Sequence, residues 1–312
     1  MSVKTTVSLD KDDPKVRAAR DAEQTAYEHH CLDRSEHYSE IAEWETRFRV
    51  VEVGDGPPSV LIMGGEGKGM QWLPVLPELD GFTLYLMDRL GAGLSDGIDY
   101  RSAPLREIAA RSTLGLFDHF GLESAPVIGN SMGGLWTLRF ALAQPNQVKK
   151  IAFVGAPAGL TPKIPIPLRL AGTPIIGELL FKTALGHSKE NYRRQLQNYV
   201  VDPDNVPPEL VEATYQSMSA PSVRRSFKTM VQEVTTLGGF KSDYVLREQL
   251  GDVEQPTLFV WGRDDPVHPV SAGRRAAGRL SNARFELVAE AGHYVWLDAP
   301  ERTESLLMDF LG

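Results

Sequence analysis

From residue 59 onwards, short apolar runs alternate along the chain with stretches whose apolar residues recur at helical spacing. A strand that is apolar on both faces has to be covered on both sides, and the helices between consecutive parallel strands supply that cover. The alternation therefore predicts an α/β protein with a mostly parallel, doubly wound sheet. The strands are predicted at 59–64, 82–88, 125–130, 151–156, 256–262 and 284–290.

Two intervals depart from this alternation. Residues 1–36 are polar and helix-prone, and residues 38–53 then alternate loosely, which predicts an N-terminal helix followed by an antiparallel hairpin. About 100 residues separate Ala156 from Pro256, far more than a connection between a strand and the next element needs. This interval begins Pro-rich and continues helical, which is typical of a cap. The expected division is an N-terminal helical extension at 1–36, a core at 37–156 and 246–312, and a helical cap or lid at 157–245.

Composition and charge exclude several classes of protein. The 312 residues are 42% hydrophobic and 24% charged, as in ordinary globular proteins, and the net charge of -8 gives nucleic acid no basic surface to bind. No stretch reaches 18 uninterrupted apolar residues, so we expect no membrane span. The single cysteine, Cys31, and a polar N-terminus favour a cytoplasmic location. The oligomeric state is left open, with a homo-oligomer as one option.

The pattern G-x-S-x-G occurs twice, and only one occurrence has a strand before it and a helix after it. Ser131 follows the apolar run 125–128 directly and precedes a helical pattern from Met132 to Ala143. Ser95 lies in a Gly-rich loop with no helix behind it. Glycines let the backbone pass through a cramped strand-to-helix turn, which exposes the serine hydroxyl above the sheet. Ser131 is therefore the predicted nucleophile, and Ser95 is interpreted as a turn serine.

A serine hydroxyl is a poor nucleophile at neutral pH, so it needs a base within hydrogen-bond reach and a third group to orient that base. His293 follows the last predicted strand, where a loop at the carboxyl end of the sheet can reach back over Ser131. His268 is a weaker candidate because it stands beside Pro269. His293 is therefore the predicted base.

The orienting acid is expected where another strand ends. The strand predicted at 256–262 runs into Asp264 and Asp265, and two neighbouring aspartates cannot both point at one imidazole. Asp265 is preferred, with Asp264 as the alternative. The non-catalytic interpretation is that an aspartate here only forms a salt bridge with Arg263. The catalytic residues then follow one another along the chain in the order Ser131, Asp265, His293.

Together these motifs resemble the α/β-hydrolase family over roughly residues 38–312. The resemblance rests on the elbow at 129–134, the stretch 261–269, the Gly292-His293 loop and the loop 88–96. It implies the α/β-hydrolase fold with a helical cap. The G-x-x-D aspartate of the family matches Asp265, which supports that residue over its neighbour.

The resemblance also implies an oxyanion hole built from two backbone N–H groups, one after the nucleophile and one after an early strand. In this sequence the matching residues are Met132 and Gly65. The His-Gly pair that is usual at the early strand is replaced by Met63-Gly64-Gly65. Backbone donors do not depend on the side chain, so both groups are expected to hold an oxyanion.

The function implied is that of a cofactor-independent serine hydrolase without a bound metal. The main prediction is cleavage of a small to medium apolar carboxylic ester or lactone through an acyl-enzyme, because the lid at 164–181 is apolar and suits a substrate with an apolar portion. The alternative is a carbon–carbon hydrolase, since Asn130 and the cap segment 202–210 resemble hydrolases of meta-cleavage products. Arg224 and Arg225 would then be candidates to bind a substrate carboxylate, unless they are a solvated pair on a cap helix. A catalytically slow ligand receptor on the same fold is a further alternative.

Overall fold

A computed structural model describes residues 6–183 and 186–312. The strands in these residues are β1 (Thr6–Val7), β2 (Ser35–Ile41), β3 (Thr46–Val53), β4 (Pro58–Ile62), β5 (Thr83–Met87), β6 (Gly97–Ile98), β7 (Ala125–Gly129), β8 (Val148–Val154), β9 (Thr235–Thr236), β10 (Gly239–Phe240), β11 (Thr257–Gly262) and β12 (Ala283–Val288). The α-helices are α1 (Pro14–His29), α2 (Leu105–His119), α3 (Ser131–Ala143), α4 (Ile166–Ala171), α5 (Pro174–Lys182), α6 (Lys189–Gln197), α7 (Pro208–Ser217), α8 (Pro221–Val234), α9 (Val270–Ala277), α10 (Val295–Asp298) and α11 (Pro300–Leu311).

The central sheet has eight strands in the order β12-β11-β8-β7-β4-β5-β3-β2. The strands from β12 to β5 pair in parallel, whereas β3 and β2 are antiparallel at one edge. The predicted antiparallel hairpin is the β2–β3 pair. All six strands predicted from the apolar runs are present, with ends displaced by three residues at most. The predicted α/β fold with a mostly parallel sheet is confirmed.

Both faces of this sheet are buried, which is why its strands read as nearly continuous apolar runs. On β4, the side chains of Val60 and Ile62 belong to one apolar cluster, and that of Leu61 belongs to the other. Leu116 of α2 lies in the first cluster, and Leu307 of α11 lies in the second. Helices therefore cover both faces of the sheet, and only the loops at the ends of its strands are free of this cover.

The loops at the carboxyl ends of the parallel strands all lie along the same edge of the sheet, which runs across the strand ends and is not the β2 edge. Ser131 follows β7, Asp265 follows β11 and His293 follows β12 at this edge. Helices α4 to α8 lie between β8 and β11 in the chain, within the interval expected to form the cap. The division into core and cap stays a prediction. No helix of the described residues combines the length and the apolar character that crossing a membrane requires.

The N-terminal segment is packed into the body of the protein. Strand β1 pairs with β6, and Ala26 and Tyr27 of α1 are buried in the same apolar cluster as α11. Glu23 of α1 is also buried, and its carboxylate lies 2.7 Å from Arg49 Nη2. The same nitrogen lies 2.7 Å from the carboxylate of buried Asp88. A charge from α1 therefore completes an ion-pair network inside the sheet.

Replacing Glu23 with alanine is expected to lower the free energy of unfolding by about 3 kcal/mol, because buried Arg49 loses a charge-assisted hydrogen bond and keeps an N–H group without an acceptor. Chemical denaturation followed by circular dichroism measures this change. The matched control is Glu28→Ala, on the exposed side of α1, which should change the same free energy by less than about 0.5 kcal/mol. Equally small effects of both substitutions would show that the buried pair does not anchor α1.

Candidate active site

Ser131 is the first residue of α3, and its backbone is left-handed, with φ at 50°. This conformation is strained for a residue other than glycine. It persists because α3 packs tightly on β4: a Cβ added at Gly133 would lie only 1.9 Å from the carbonyl oxygen of Ile62. The side chain of Ser131 is half-buried at the carboxyl edge of the sheet. The sequence predicted this sharp strand-to-helix turn, and the structure has it.

Asn130 connects the turn to the loop that carries the predicted base. Its Nδ2 donates to the carbonyl oxygen of Val154 at 2.7 Å and to that of His293 at 3.4 Å. Asn130 is fully buried, so these bonds form where water does not compete for them. The backbone of the histidine loop is therefore held against the residue that precedes Ser131.

The structure brings Asp265 and His293 together. His293 Nδ1 donates to Asp265 Oδ2 at 2.7 Å, and both side chains are buried. The carboxylate also accepts the N–H groups of Val267 (2.7 Å), His268 (3.2 Å) and Ala156 (3.2 Å). Burial alone would raise the pKa of the Asp265 carboxyl, but attraction to His293 and the hydrogen bonds outweigh it and hold that pKa below its ordinary value. With Nδ1 donating, Nε2 of the neutral ring is left as the acceptor that a general base requires.

The alternatives to the predicted acid, base and nucleophile have environments that do not suit those roles. Asp264 is exposed, and it makes no hydrogen bond to His293 in the part of the chain that the structure describes. His268 is buried beside Asp265, and burial lowers the pKa of its imidazole to about 4. Ser95 is fully buried, where its Oγ accepts from Arg49 N–H and donates to the carbonyl of Asp88. This second G-x-S-x-G serine therefore has a structural environment.

Within the described residues, no hydrogen bond joins Ser131 Oγ to His293 Nε2. Catalytic hydrogen bonds are often long in free enzymes and tighten when a substrate binds. The structure thus shows the acid–base half of the predicted triad and holds the loops of all three residues at one edge. The catalytic roles of the three residues stay predictions.

The loop after β4 lies against the predicted nucleophile. A Cβ added at Gly64 would lie 2.4 Å from the Cβ of Ser131. Gly65 has a left-handed backbone, with φ at 48°. Met132 is the second residue of α3, so its N–H has no acceptor within the helix. The N–H groups predicted to form an oxyanion hole therefore lie on two segments that meet at Ser131, and their role also stays a prediction.

A cavity of about 660 Å³ lies among the helices between β8 and β11 and reaches the loop of the predicted acid. Its lining includes Pro266 and Val267, which follow Asp265 directly, and Tyr199. The ring of Tyr199 is 5.4 Å from that of His293, measured between centroids. Tyr199 could not be predicted from the sequence because it stands in no motif, and only the fold brings it to the histidine. In the described residues, no group of three or more His, Cys, Asp or Glu side chains could hold a metal ion.

Glu66 is a second residue of the site that the sequence analysis missed. It follows Gly65 directly, and its side chain is buried. One carboxylate oxygen accepts from Gln195 of α6 at 2.6 Å, and the other accepts from Gln71 at 3.2 Å. The run of glycines and charges around Glu66 resembles a loop tip in sequence, so nothing in it signals a buried carboxylate beneath a helix.

The sheet order, the strained serine elbow and the buried His–Asp pair define the class of an α/β hydrolase. A family model described as the alpha/beta hydrolase fold matches residues 57–300. The chain belongs to the α/β-hydrolase family, and relatives similar to it are named as hydrolases.

Proteins similar to this chain include two hydrolases named for dienoate-type compounds and one carboxylesterase. A 2-hydroxy-6-oxononadienedioate/2-hydroxy-6-oxononatrienedioate hydrolase of Paraburkholderia phymatum is 30% identical over 283 residues, which are 88% of this chain and 95% of the relative. The solved 2-hydroxy-6-oxo-6-phenylhexa-2,4-dienoate hydrolase of Rhodococcus sp. strain RHA1 aligns with a TM-score of 0.73 at 23% identity, over 89% of this chain and 98% of that one. A solved carboxylesterase of Bacillus subtilis aligns with a TM-score of 0.75 at 20% identity, over 95% and 98%. The two solved structures are evidence for the fold alone.

Ser131→Ala and His293→Ala are each expected to lower turnover of an accepted substrate by about three or more decades, because each removes a member of one catalytic unit. A fluorophosphonate probe followed by mass spectrometry should place the adduct on Ser131 in the wild type and find none in Ser131→Ala. Ser281→Ala, which changes an exposed serine, is the control and should be labelled normally. Near wild-type turnover in a folded Ser131→Ala protein would rule out the elbow serine as nucleophile.

Burial of neutral His268 is expected to make stability depend on pH. The pKa of this imidazole is about 4 in the fold, against an ordinary value of 6.5, so between pH 4 and pH 6.5 the unfolded chain binds a proton that the folded chain does not. Stability should therefore be lost as the pH falls from 6.5 to 4, by up to about 3 kcal/mol. The unfolding free energies of wild type and His268→Gln, measured across this range, should draw closer as the pH falls. Only the wild type loses stability through this imidazole.

His119→Gln changes an exposed histidine and serves as the control for that experiment. Its unfolding free energy should follow the wild-type pH dependence. If His268→Gln also ran parallel to the wild type, the buried imidazole would not be neutral.

Proposed function

We propose that the protein hydrolyses a carbon–carbon bond in a small keto acid of the 2-hydroxy-6-oxo-dienoate class. The curated relative at 30% identity carries a name of this class and covers almost the whole chain. The proposed substrate has an apolar portion, and the reaction requires no cofactor. The single observation that carries the proposal is an arginine in the wall of the cavity, Arg224, whose charge has no carboxylate partner.

Several cations line this cavity, and most of them are already paired. Lys228 lies 2.6 Å from Glu178, and exposed Arg225 lies 3.5 Å from Asp99. Arg224 is half-buried, and its Nη1 donates to the carbonyl oxygens of Met218 (3.0 Å) and Ser219 (3.3 Å). No carboxylate lies within 4 Å of the Arg224 guanidinium among the described residues. A guanidinium held by carbonyls keeps N–H groups free for a substrate carboxylate.

The chemistry follows from the bond that has to break. In a 2-hydroxy-6-oxo-dienoate, the enol proton first moves to C5, so that C5 can later leave with an electron pair delocalised into the C2 carbonyl. Ser131 Oγ then attacks the C6 carbonyl, His293 takes the serine proton, and the N–H groups of Gly65 and Met132 hold the oxyanion. Collapse of this intermediate breaks the C5–C6 bond and leaves an acyl-serine, and the departing dienolate takes the proton from His293, which returns this residue to its neutral form. Water, activated by His293, releases the acyl group as a carboxylic acid.

Hydrolysis of an apolar carboxylic ester or lactone is the second candidate function. The same acyl-enzyme serves both reactions, which differ only in the leaving group. The apolar part of the cavity wall favours it, because Leu168, Phe181 and Phe227 line the cavity and suit an uncharged acyl chain. An ester without a carboxylate would not use Arg224, and this difference separates the two functions.

Arg224→Met is expected to raise KM for 2-hydroxy-6-oxo-6-phenylhexa-2,4-dienoate by about 10- to 100-fold, because a charge-assisted hydrogen bond to the substrate is lost. The absorbance of the dienol chromophore reports this turnover. The same substitution should leave turnover of an uncharged p-nitrophenyl ester unchanged. Arg225→Met, which removes a neighbouring arginine that is paired with Asp99, is the matched control and should change neither KM appreciably.

Two outcomes would contradict the proposal. Turnover of uncharged esters by the wild type, with none of the dienol keto acid, would select ester hydrolysis. Equal effects of Arg224→Met on both substrates would show that this arginine supports the cap and does not bind a carboxylate.

A further inference from the structure

Arg89 is a buried cation that the catalytic scheme does not use. It follows β5, and its side chain is 1% exposed. In the described residues no carboxylate lies within 4 Å of its guanidinium, and burial lowers the pKa of this group from its ordinary value. Burying an unpaired charge is costly, so a residue of this kind needs contacts that only a guanidinium provides. Those contacts are found on both sides of the predicted oxyanion hole.

On one side, Arg89 holds the loop after β4 by its carbonyl groups. Nη2 donates to the carbonyl oxygen of Gly65 at 2.7 Å and to that of Gly64 at 3.4 Å. The backbone N–H of Arg89 donates to the carbonyl of Gly67 at 3.0 Å, and Gly67 N–H donates to that of Gly64 at 2.7 Å. A trans peptide is planar, so fixing the Gly64 carbonyl fixes the Gly65 N–H of the same peptide in the opposite direction. That N–H is the first donor of the predicted hole.

On the other side, Arg89 stacks on the helix that supplies the second donor. Its guanidinium carbon lies 4.7 Å from the ring centroid of Trp136, which is fully buried on α3. Helix α3 begins at Ser131 and includes Met132, whose N–H is the second predicted donor. A flat guanidinium can stack on an aromatic face and donate in its own plane at the same time, and an ammonium cannot do both.

We propose that Arg89 is a positioning residue for the oxyanion hole: by bonding the 64–67 loop and stacking on Trp136 of α3, it sets the Gly65 N–H and the Met132 N–H at the spacing that one oxyanion needs. This inference rests on the proposed serine-hydrolase mechanism and holds for either leaving group. Because the hole acts on the transition state, loss of Arg89 lowers the rate of the covalent step and leaves substrate binding largely intact.

The test measures the rate at which a fluorophosphonate probe labels Ser131, because this step uses the serine, the histidine and the hole but no substrate carboxylate. Arg89→Met should slow labelling by about 100-fold, as loss of a hole donor does. Arg89→Lys should also be slow, although it keeps the charge. Trp136→Leu, which removes the stacking surface and leaves Arg89 in place, should slow labelling as well.

Chemical rescue distinguishes positioning from general loss of structure. Guanidinium ion at non-denaturing concentration should restore labelling of Arg89→Ala by about tenfold or more, whereas sodium chloride at equal ionic strength should not. Met230→Leu is the matched control, because Met230 Sδ accepts from Arg89 Nη1 on the side of α8 and away from the loop. It should be labelled within about twofold of the wild-type rate.

Wild-type labelling of a folded Arg89→Met protein would overturn the inference, and so would the absence of rescue by guanidinium in a folded Arg89→Ala protein. Failure of the carbon–carbon hydrolase proposal would appear elsewhere, in the turnover of the dienol keto acid by the wild type.

Discussion

The strained backbone of Ser131 is the constraint on which the rest of the site depends. A left-handed residue other than glycine costs about 1 to 3 kcal/mol, and it persists only where the surrounding structure holds it. Here α3 starts at that residue and packs on β4 so closely that Gly133 has no room for a side chain. The same contact brings the loop after β4 against Ser131. Packing of one helix on one strand therefore positions both the predicted nucleophile and the segment that faces it.

A buried ion-pair network connects the loop after β5 to the N-terminal helix α1. The carboxylate of Asp88 accepts the N–H groups of Gly69 and Leu94 while it pairs with Arg49. Arg49 in turn pairs with Glu23 of α1. Breaking such a network leaves an uncompensated charge in the interior, so its members stay together. Arg89 follows Asp88 directly, and its side chain therefore starts from a backbone position that the network has fixed.

Much of the fold and the centre of the site could be predicted from the sequence, because both leave local signals. The strands are continuous apolar runs, and the elbow, the acid and the base each follow one of those strands. The packing of α1 could not be predicted, since a buried Glu23 looks in sequence like one more residue of a polar, solvated helix. Arg89 and Tyr199 were missed for a similar reason. Their neighbours lie far away in the chain, and only the folded sheet and the helices between β8 and β11 bring them to the site.

The predicted catalytic residues and the cavity lie in different parts of the molecule. Ser131 and the His–Asp pair lie in segments that follow strands of the sheet, whereas the cavity wall with Arg224 lies on helices between β8 and β11. The two parts are joined at Glu66, which follows Gly65 and accepts a hydrogen bond from Gln195 of α6. Because this carboxylate is buried, displacement of α6 would leave it without that donor, at a cost of about 1 to 3 kcal/mol or more. Displacement of α6 would therefore disturb the loop that carries one of the predicted oxyanion donors.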